Sequence, residues 1–396
     1  MNSEKILTKL CYKLIEGDYL DKNGKVKDVL KFKISIPELG IINSKIPAKE
    51  DEKFDTYLFL PEGEDRKGEG GLRTRGYFKF NYIRNKEDNR WWISDFRGNP
   101  QIPAPEEIQQ QINSYMAENK DLNVLNIEQL PLITVITVVL NGEKYLEETI
   151  QSVINQTYPN VEYIIIDGGS TDGTLDIIKK YENYIDYWVS EKDKGIYDAM
   201  NKGVRLSMGG FLCFIGSDDI LDSSWINKAI CSHYNKEANY IYGNINFISS
   251  FGEIYFKYRN INKENLKKSF LIPHSGSIQR RDLFKETLFD ETFKIIGDYD
   301  FVLCVLDKLS LLYIDYTQIH MRLGGASNSY KLLSEQLREL YKIEAKHNIK
   351  LSQRCKFKLY IKKFLSYNGY LYSYLQHLFW KAKVIQNILK KRIKEI

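Results

Sequence analysis

Between Pro131 and about residue 245 the chain alternates apolar runs with amphipathic stretches of helical spacing, and this pattern limits the fold more than any other feature. Ile133 to Leu140 (ITVITVVL), Val161 to Ile166, Tyr187 to Ser190 and Phe211 to Ile215 read as strands buried on both faces. Glu143 to Ile154, Leu175 to Tyr181 and Ile196 to Leu206 read as the helices between them. Strands apolar on both sides and separated by helices imply an α/β fold: a Rossmann-like, mostly parallel sheet with helices on both faces.

The flanks differ in texture. Residues 1–130 are irregular and predict a small α+β module. Lys5 to Ile15 has helical spacing, while Val29 to Ile36 and Thr56 to Leu60 alternate like half-buried strands. Glu62 to Gly71 reads as a solvated loop, and Trp91 to Ile93 as a second apolar cluster. Pro103 to Pro105 leads into a helix over Glu106 to Ala117. After about residue 330 the chain becomes helical, basic and aromatic, with Lys interleaved among Tyr, Leu, Phe and Trp in Lys356 to Lys363 and Tyr367 to Phe379. Three units follow: 1–130, 131–330 and 331–396.

The formal charge of +5 hides an asymmetry, because 331–396 holds 16 Lys and Arg against 4 acids. The basic character therefore belongs to the C-terminal extension, which suits an anionic membrane surface or a solvated helical cap. Five cysteines, widely spaced among apolar neighbours, fit neither a disulfide framework nor a zinc site and suit a reducing compartment. The polar start and the shortness of the longest apolar run predict neither a signal peptide nor a spanning helix, hence a cytoplasmic protein. No module for nucleic acid is visible, so none is expected as a partner.

In an open parallel sheet, ligands bind at the carboxyl ends of the strands, and here those ends are polar and acidic. The first strand ends at Asn141-Gly142, and the second in Asp167-Gly-Gly-Ser-Thr-Asp-Gly-Thr174. A carboxylate at Asp167 can accept the ring N–H of a pyrimidine, while Asp172 and Thr174 either serve a nucleotide or cap the next helix. The fourth strand ends in Gly216-Ser-Asp218-Asp219. Adjacent carboxylates repel unless a cation or donors compensate them, and Mg²⁺ or Mn²⁺ favours such hard oxygen ligands; capping of the following helix is the alternative. Gly70 to Gly76 reads either as a basic turn in solvent or as a reach toward phosphate.

The order Thr137…Asn141, Asp167-Gly-Gly-Ser-Thr-Asp-Gly-Thr, Ser190-Glu-Lys-Asp-Lys-Gly-Ile-Tyr-Asp-Ala-Met-Asn-Lys-Gly203 and Gly216-Ser-Asp-Asp219 resembles glycosyltransferase family 2 of the GT-A fold. The resemblance is to bacterial members that build O-antigen, capsule and other surface polysaccharides. It implies that Thr137, Asn141, Asp167, Gly195, Asn201 and Asp218 serve the nucleotide-sugar donor, and that Asp219 is the metal ligand. Tyr242-Gly-Asn244 is similar to a later strand end, where an acid often replaces Asn244. His274 lies in a segment similar to the acceptor side, as a substrate or metal contact or as a buried structural residue. Gly297-Asp-Tyr-Asp300 resembles the acidic motif that supplies the base, with Gly297 where Glu often stands. Asp298 takes the base position and Asp300 supports it. Gly324 to Ser327 resembles the loop that closes the fold.

The resemblance implies an inverting transfer with Mg²⁺ or Mn²⁺, from a nucleotide sugar with UDP favoured, to a glycan or lipid-linked glycan. An unperturbed aspartate titrates near ~3.9, so Asp298 is expected to be ionised at neutral pH. The lipid-linked acceptor would place the chain peripherally on the inner face of the cytoplasmic membrane. The rivals are an inactive nucleotide-sugar-binding module of the same fold and a sugar-nucleotide pyrophosphorylase. The latter is weakened by the poor phosphate loop at Asn141 to Lys144. A dinucleotide oxidoreductase would need Gly-x-Gly-x-x-Gly after the first strand, which is absent.

Overall fold

The computed structural model describes residues 12–13, 41–42, 56–61, 63, 65–94, 100–118, 128–233, 237–249, 252–258, 261–269, 272–322, 332–353 and 356–357. Val29 to Ile36, Gly324 to Ser327 and Tyr367 to Phe379 lie outside these residues. So does most of Lys5 to Ile15, but Tyr12–Lys13 is extended and pairs with Tyr77–Phe78, which is not the helix its spacing predicts.

The centre of the molecule is a ten-stranded mixed sheet. Its strands are β1 (Gly68–Gly70), β6 (Ile133–Val139), β7 (Val161–Asp167), β8 (Tyr187–Ser190), β9 (Phe211–Gly216), β10 (Ile220–Leu221), β11 (Tyr240–Ser249), β12 (Gly252–Phe256), β13 (Ile278–Arg280) and β14 (Leu311–Arg322). The order is β10-β14-β11-β13-β9-β6-β7-β8-β1, with β12 paired to β11. Strands β9, β6, β7 and β8 are mutually parallel, as the apolar runs predict, and antiparallel strands extend the sheet on both sides.

The helices between these strands are α2 (Leu146–Ile154), α3 (Thr174–Lys180), α4 (Ile196–Leu206) and α5 (Trp225–His233), followed by α6 (Gly297–Cys304) and α7 (Leu333–His347). Alternate strand residues feed opposite faces of the sheet. Ile133, Val135, Ile165 and Cys213 pack with Leu146, Ile150, Ile178 and Trp225 of α2, α3 and α5. Ile136, Leu212 and Phe214 instead pack with Val204, Phe301 and Ile343 of α4, α6 and α7. Both faces are therefore covered, which is why the central strands carry no polar side.

A second, four-stranded sheet has the order β4-β3-β2-β5, made of Pro100–Pro103, Trp91–Ser94, Asn81–Arg84 and Gln129–Leu130, with helix α1 (Glu106–Glu118) against it. Phe78, Trp91, Ile93, Ile108 and Ile112 share one continuous core with β6 and β7. Of Thr56 to Leu60, only Thr56–Tyr57 is strand.

Two expectations for the N-terminal part do not hold as stated. Glu62 to Gly71 is not a solvated loop throughout: Gly63, Asp65 and Lys67 are exposed, but Gly68–Gly70 pairs antiparallel with β8, and Gly70 lies flat against Trp188, where a Cβ would come within 2.6 Å of the indole nitrogen. Nor is Gly70 to Gly76 a solvated basic turn or an arm toward phosphate. Arg73 is 1% exposed, and its guanidinium donates to Glu162 at 2.5 Å and to Leu58 O at 3.2 Å. Glu162 also accepts from Thr134 Oγ1 and Met208 N, so the buried charge is compensated. Charged letters and glycines suggested solvent, and it is the distant partner in β7 that makes burial affordable in this case.

Candidate active site

Strand register brings the polar strand ends together. Val139 of β6 pairs with Asp167, Val138 with Gly216, and Asp167 with Ser190. Neighbouring strands lie about 4.8 Å apart, so Asn141, the 168–174 loop, the 191–195 loop and Ser217 to Asp219 all emerge from one edge. Asn141 ends β6 in the left-handed region (φ 54). Its backbone N–H donates to Ser170 Oγ at 2.7 Å, and its side-chain oxygen accepts from Thr171 N at 2.9 Å.

Asp167 stands at this edge but is fully buried. Ser170 Oγ and the Ser170 N–H donate to it, and Ser190 Oγ donates at 2.5 Å. As arranged, the carboxylate holds the loop, and a direct contact with a base requires exchange of one of these hydroxyls. Gly195, at φ 134 with open space around its Cα, begins α4. Asp193 accepts from its N–H at 2.9 Å, and Asp198 accepts from Lys194 N at 3.0 Å, so the loop is bonded at both ends.

Two residues implied for donor binding are elsewhere. Thr137 is wholly buried within β6, its hydroxyl 3.1 Å from Tyr163 Oη. Asn201 is 4% exposed, and its amide is consumed by Phe289 and Glu291: Nδ2 donates to Phe289 O and Glu291 Oε1, and Oδ1 accepts from Phe289 N. It clamps α4 to the segment preceding α6 and does not line an open pocket.

The Asp218–Asp219 pair is held from several sides. Asp219 Oδ2 accepts from Ser275 Oγ at 3.1 Å, and Oδ1 from Arg322 N at 3.2 Å. Arg322, at the end of β14, donates Nη1 to Asp218 O and Nη2 to Glu148, both at 2.6 Å, with its guanidinium over the Tyr145 ring. Burial, then the Asp218 charge, pushes the Asp219 carboxyl up to about 7; burial also raises Asp218. A Cβ on Gly216 would meet Asp219 Oδ2 at 2.9 Å and Asp218 Oδ1 at 3.1 Å, so both oxygens border one small space. Hard oxygen donors with poorly compensated charge around such a space suit a divalent cation. Among the described residues, however, the one group of three potential ligands within mutual reach is Asp300, Cys304 and His347. There Lys346 already donates to Asp300 at 2.8 Å and His347 Nε2 bonds its other oxygen at 2.8 Å, so the charge is met without an ion.

Asp298 lies in the first turn of α6. Its Oδ1 accepts from Tyr299 N at 2.9 Å and lies 3.4 Å from Tyr197 Oη, in the first turn of α4. Since α4 starts from the edge described above, this contact brings Asp298 to the same side as the Asp pair. The expected ionised state at neutral pH does not hold as stated: burial raises this carboxyl to about 7. Gly297 has a structural reason, because a Cβ there would press the Tyr197 ring at 2.8 Å. Asp300 does not touch Asp298; it faces away and anchors α7 through Lys346 and His347.

His274 is buried, stacked on Phe214 at 5.0 Å, and bonded at Nδ1 by Gln279 Nε2. Burial lowers it to about 3, so it is neutral, and its Nε2 has no partner among the described residues. The neighbouring Ser275, rather than His274, is the residue of this segment that reaches Asp219. Sequence reading passed over Ser275, Tyr197 and Arg322, although all three lie in or beside the quoted motifs.

Comparisons with known proteins agree on one family. The profile described as "Glycosyl transferase family 2" matches residues 134–299. A PGL/p-HBAD biosynthesis glycosyltransferase of Mycobacterium bovis is 30% identical over 182 residues, 43% of this chain and 68% of that protein. An uncharacterized glycosyltransferase of Haemophilus influenzae is 37% identical over 107 residues, 26% of this chain and 33% of its own length. Chondroitin synthase of Escherichia coli is 25% identical over 245 residues, 60% of this chain. The match spans about a third of the length of these last two proteins (33% and 35%). Staphylococcus aureus TarS superposes with a TM-score of 0.42 at 19% identity, over 59% of this chain and 44% of that one, too loose a fit to transfer any feature.

Proposed function

We propose, from the premise that this chain belongs to glycosyltransferase family 2, that it transfers a sugar from a nucleotide-sugar donor to an acceptor hydroxyl with inversion, in polysaccharide synthesis. The observation that carries the reading is Asp298, a carboxyl raised to about 7 and bonded to Tyr197, on the same side as the Asp218–Asp219 pair. In this reading residues 131–330 are the catalytic unit, 1–130 an N-terminal unit and 331–396 a basic extension.

The acceptor oxygen attacks the anomeric carbon, its proton passes to the Asp298 carboxylate, and the bond to the nucleoside diphosphate breaks on the opposite face. A base with pKa near the working pH combines availability with proton affinity. Tyr197 and the Tyr299 N–H hold Asp298 in place for this step. Asp219, with Asp218 beside it, would hold Mg²⁺ or Mn²⁺; when bound, such an ion offsets charge on the departing diphosphate. Asp167 and the 168–174 loop would flank the base, with UDP favoured because a carboxylate can accept a pyrimidine ring N–H.

The acceptor would be a glycan or lipid-linked glycan of the O-antigen or capsule kind, reached from the inner face of the cytoplasmic membrane through 331–396. No helix among the described residues is long and apolar enough to cross a membrane. An inactive binding module is less well supported, because the carboxyls that transfer requires are all present. The test is a panel of nucleotide sugars scored by thermal stabilisation with and without Mn²⁺. Stabilisation by one nucleotide class, enhanced by Mn²⁺, is expected; none with any donor would overturn the reading.

A further inference from the structure

We infer that the N-terminal segment is a working part of the donor half-site: Arg66 and Lys67 are positioning residues that fix the two loops between which the nucleotide lies. This rests on the donor placement proposed above. Lys67 Nζ donates to the carbonyls of Gly169 and Ser170 at 2.8 and 2.9 Å, inside the turn that follows Asp167. The Lys67 backbone N–H donates to Ser190 O at 2.8 Å, continuing the ladder between β1 and β8. Arg66 reaches the next loop: Nε and Nη2 donate to Glu191 Oε2 at 3.0 and 2.8 Å, while Nη1 donates to Glu69 and to Leu60 O. The other Glu191 oxygen takes Lys202 of α4 at 2.8 Å. Two consecutive residues therefore tie together the ends of β7 and β8, and through Glu191 the middle of α4, across more than 100 residues of sequence.

An exposed lysine held by two carbonyls of a glycine-bearing turn is not explained by core stability, since exposed charge contacts add little. It is explained if the turn must be kept in one conformation. Gly169 sits at φ 84, a turn with wide backbone freedom when nothing restrains it. A binding-competent loop that is only fractionally populated weakens apparent affinity by that fraction.

The experiment uses the full chain with Lys67→Ala and Lys67→Arg. Amide exchange of the free protein should rise in 168–174 in Lys67→Ala and stay unchanged in β6 and α5. UDP with Mn²⁺, followed by calorimetry, should bind Lys67→Ala about tenfold more weakly, with Lys67→Arg recovering most of the loss. Exchange unaltered in 168–174, UDP affinity unaltered, or faster exchange across the whole sheet would each overturn the proposal. If UDP fails to bind the wild-type chain, that counts against the donor reading itself, and the exchange measurement still decides the clamp.

Discussion

Asp219 and Asp298 share a physical situation: each is a carboxyl that burial holds protonated to a pH about three units above an ordinary aspartate. For Asp298 the consequence is kinetic. Asp298→Asn should lower turnover about 10²- to 10⁴-fold while leaving donor binding nearly intact, and the wild-type rate should climb through about pH 7 as the base loses its proton. Wild-type-like turnover in the variant would remove Asp298 from the chemistry. For Asp219 the consequence is thermodynamic. A folded pKa raised above the unfolded value gives stability that is complete below the unfolded pKa and is lost as pH rises through about 7. Without divalent ions, the melting temperature of Asp219→Asn should therefore gain on the wild type between pH 5 and pH 8, and a gap that does not change with pH would refute the shift. Position was readable here where environment was not. The motif located Asp298, but its ionisation depends on burial beside Tyr197 and Tyr299, and no spacing shows that Asn201 spends its amide on Phe289.

At the scale of elements, glycine and a distant carboxylate shape the site. Gly216 closes β9 with the two Asp oxygens about 3 Å from where its Cβ would be. Gly216→Ala should keep the fold, at a cost of about 1–3 kcal/mol for overpacking, and weaken Mn²⁺-dependent donor binding; unaltered Mn²⁺ dependence would show that the space is not used. Glu339 of α7 accepts from the backbone N–H groups of Lys294, Ile295 and Ile296 at 2.5, 3.1 and 3.0 Å, the stretch that enters α6. Glu339→Ala strands these donors, of which the Ile296 N–H is buried, and should destabilise the protein by about 1–3 kcal/mol, read from denaturant unfolding. The strands and helices of 131–216 were legible to within a residue except that α2 starts at Leu146 and not at Glu143, because burial on both faces leaves a continuous apolar signature. Gly68–Gly70 was not, since three residues without apolar side chains pair through backbone alone.

Over the described residues, parts of both flanks pack on the central sheet. Among the described residues, the N-terminal part shares the core of β6 and β7, and α7 buries Leu340 and Ile343 against the opposite face. The basic residues beyond α7 carry the membrane proposal: each Lys or Arg near an anionic surface adds about 1 kcal/mol. The 396-residue chain should pellet with phosphatidylserine vesicles, less so at high salt, and not with neutral ones; equal pelleting with both would sink the idea.

The pairing of Gly68–Gly70 with β8 has one more outcome. Trp188, Val189 and Ser190 belong to the last parallel strand, and without a neighbour they would present an open row of peptide groups to any other chain. The short glycine-bearing cover, with Arg66 just before it paired to Glu69 within it, gives that row a partner from its own chain. Removing the first seventy residues would thus uncover a sticky border, and the shortened protein should assemble into soluble oligomers or precipitate as its concentration rises.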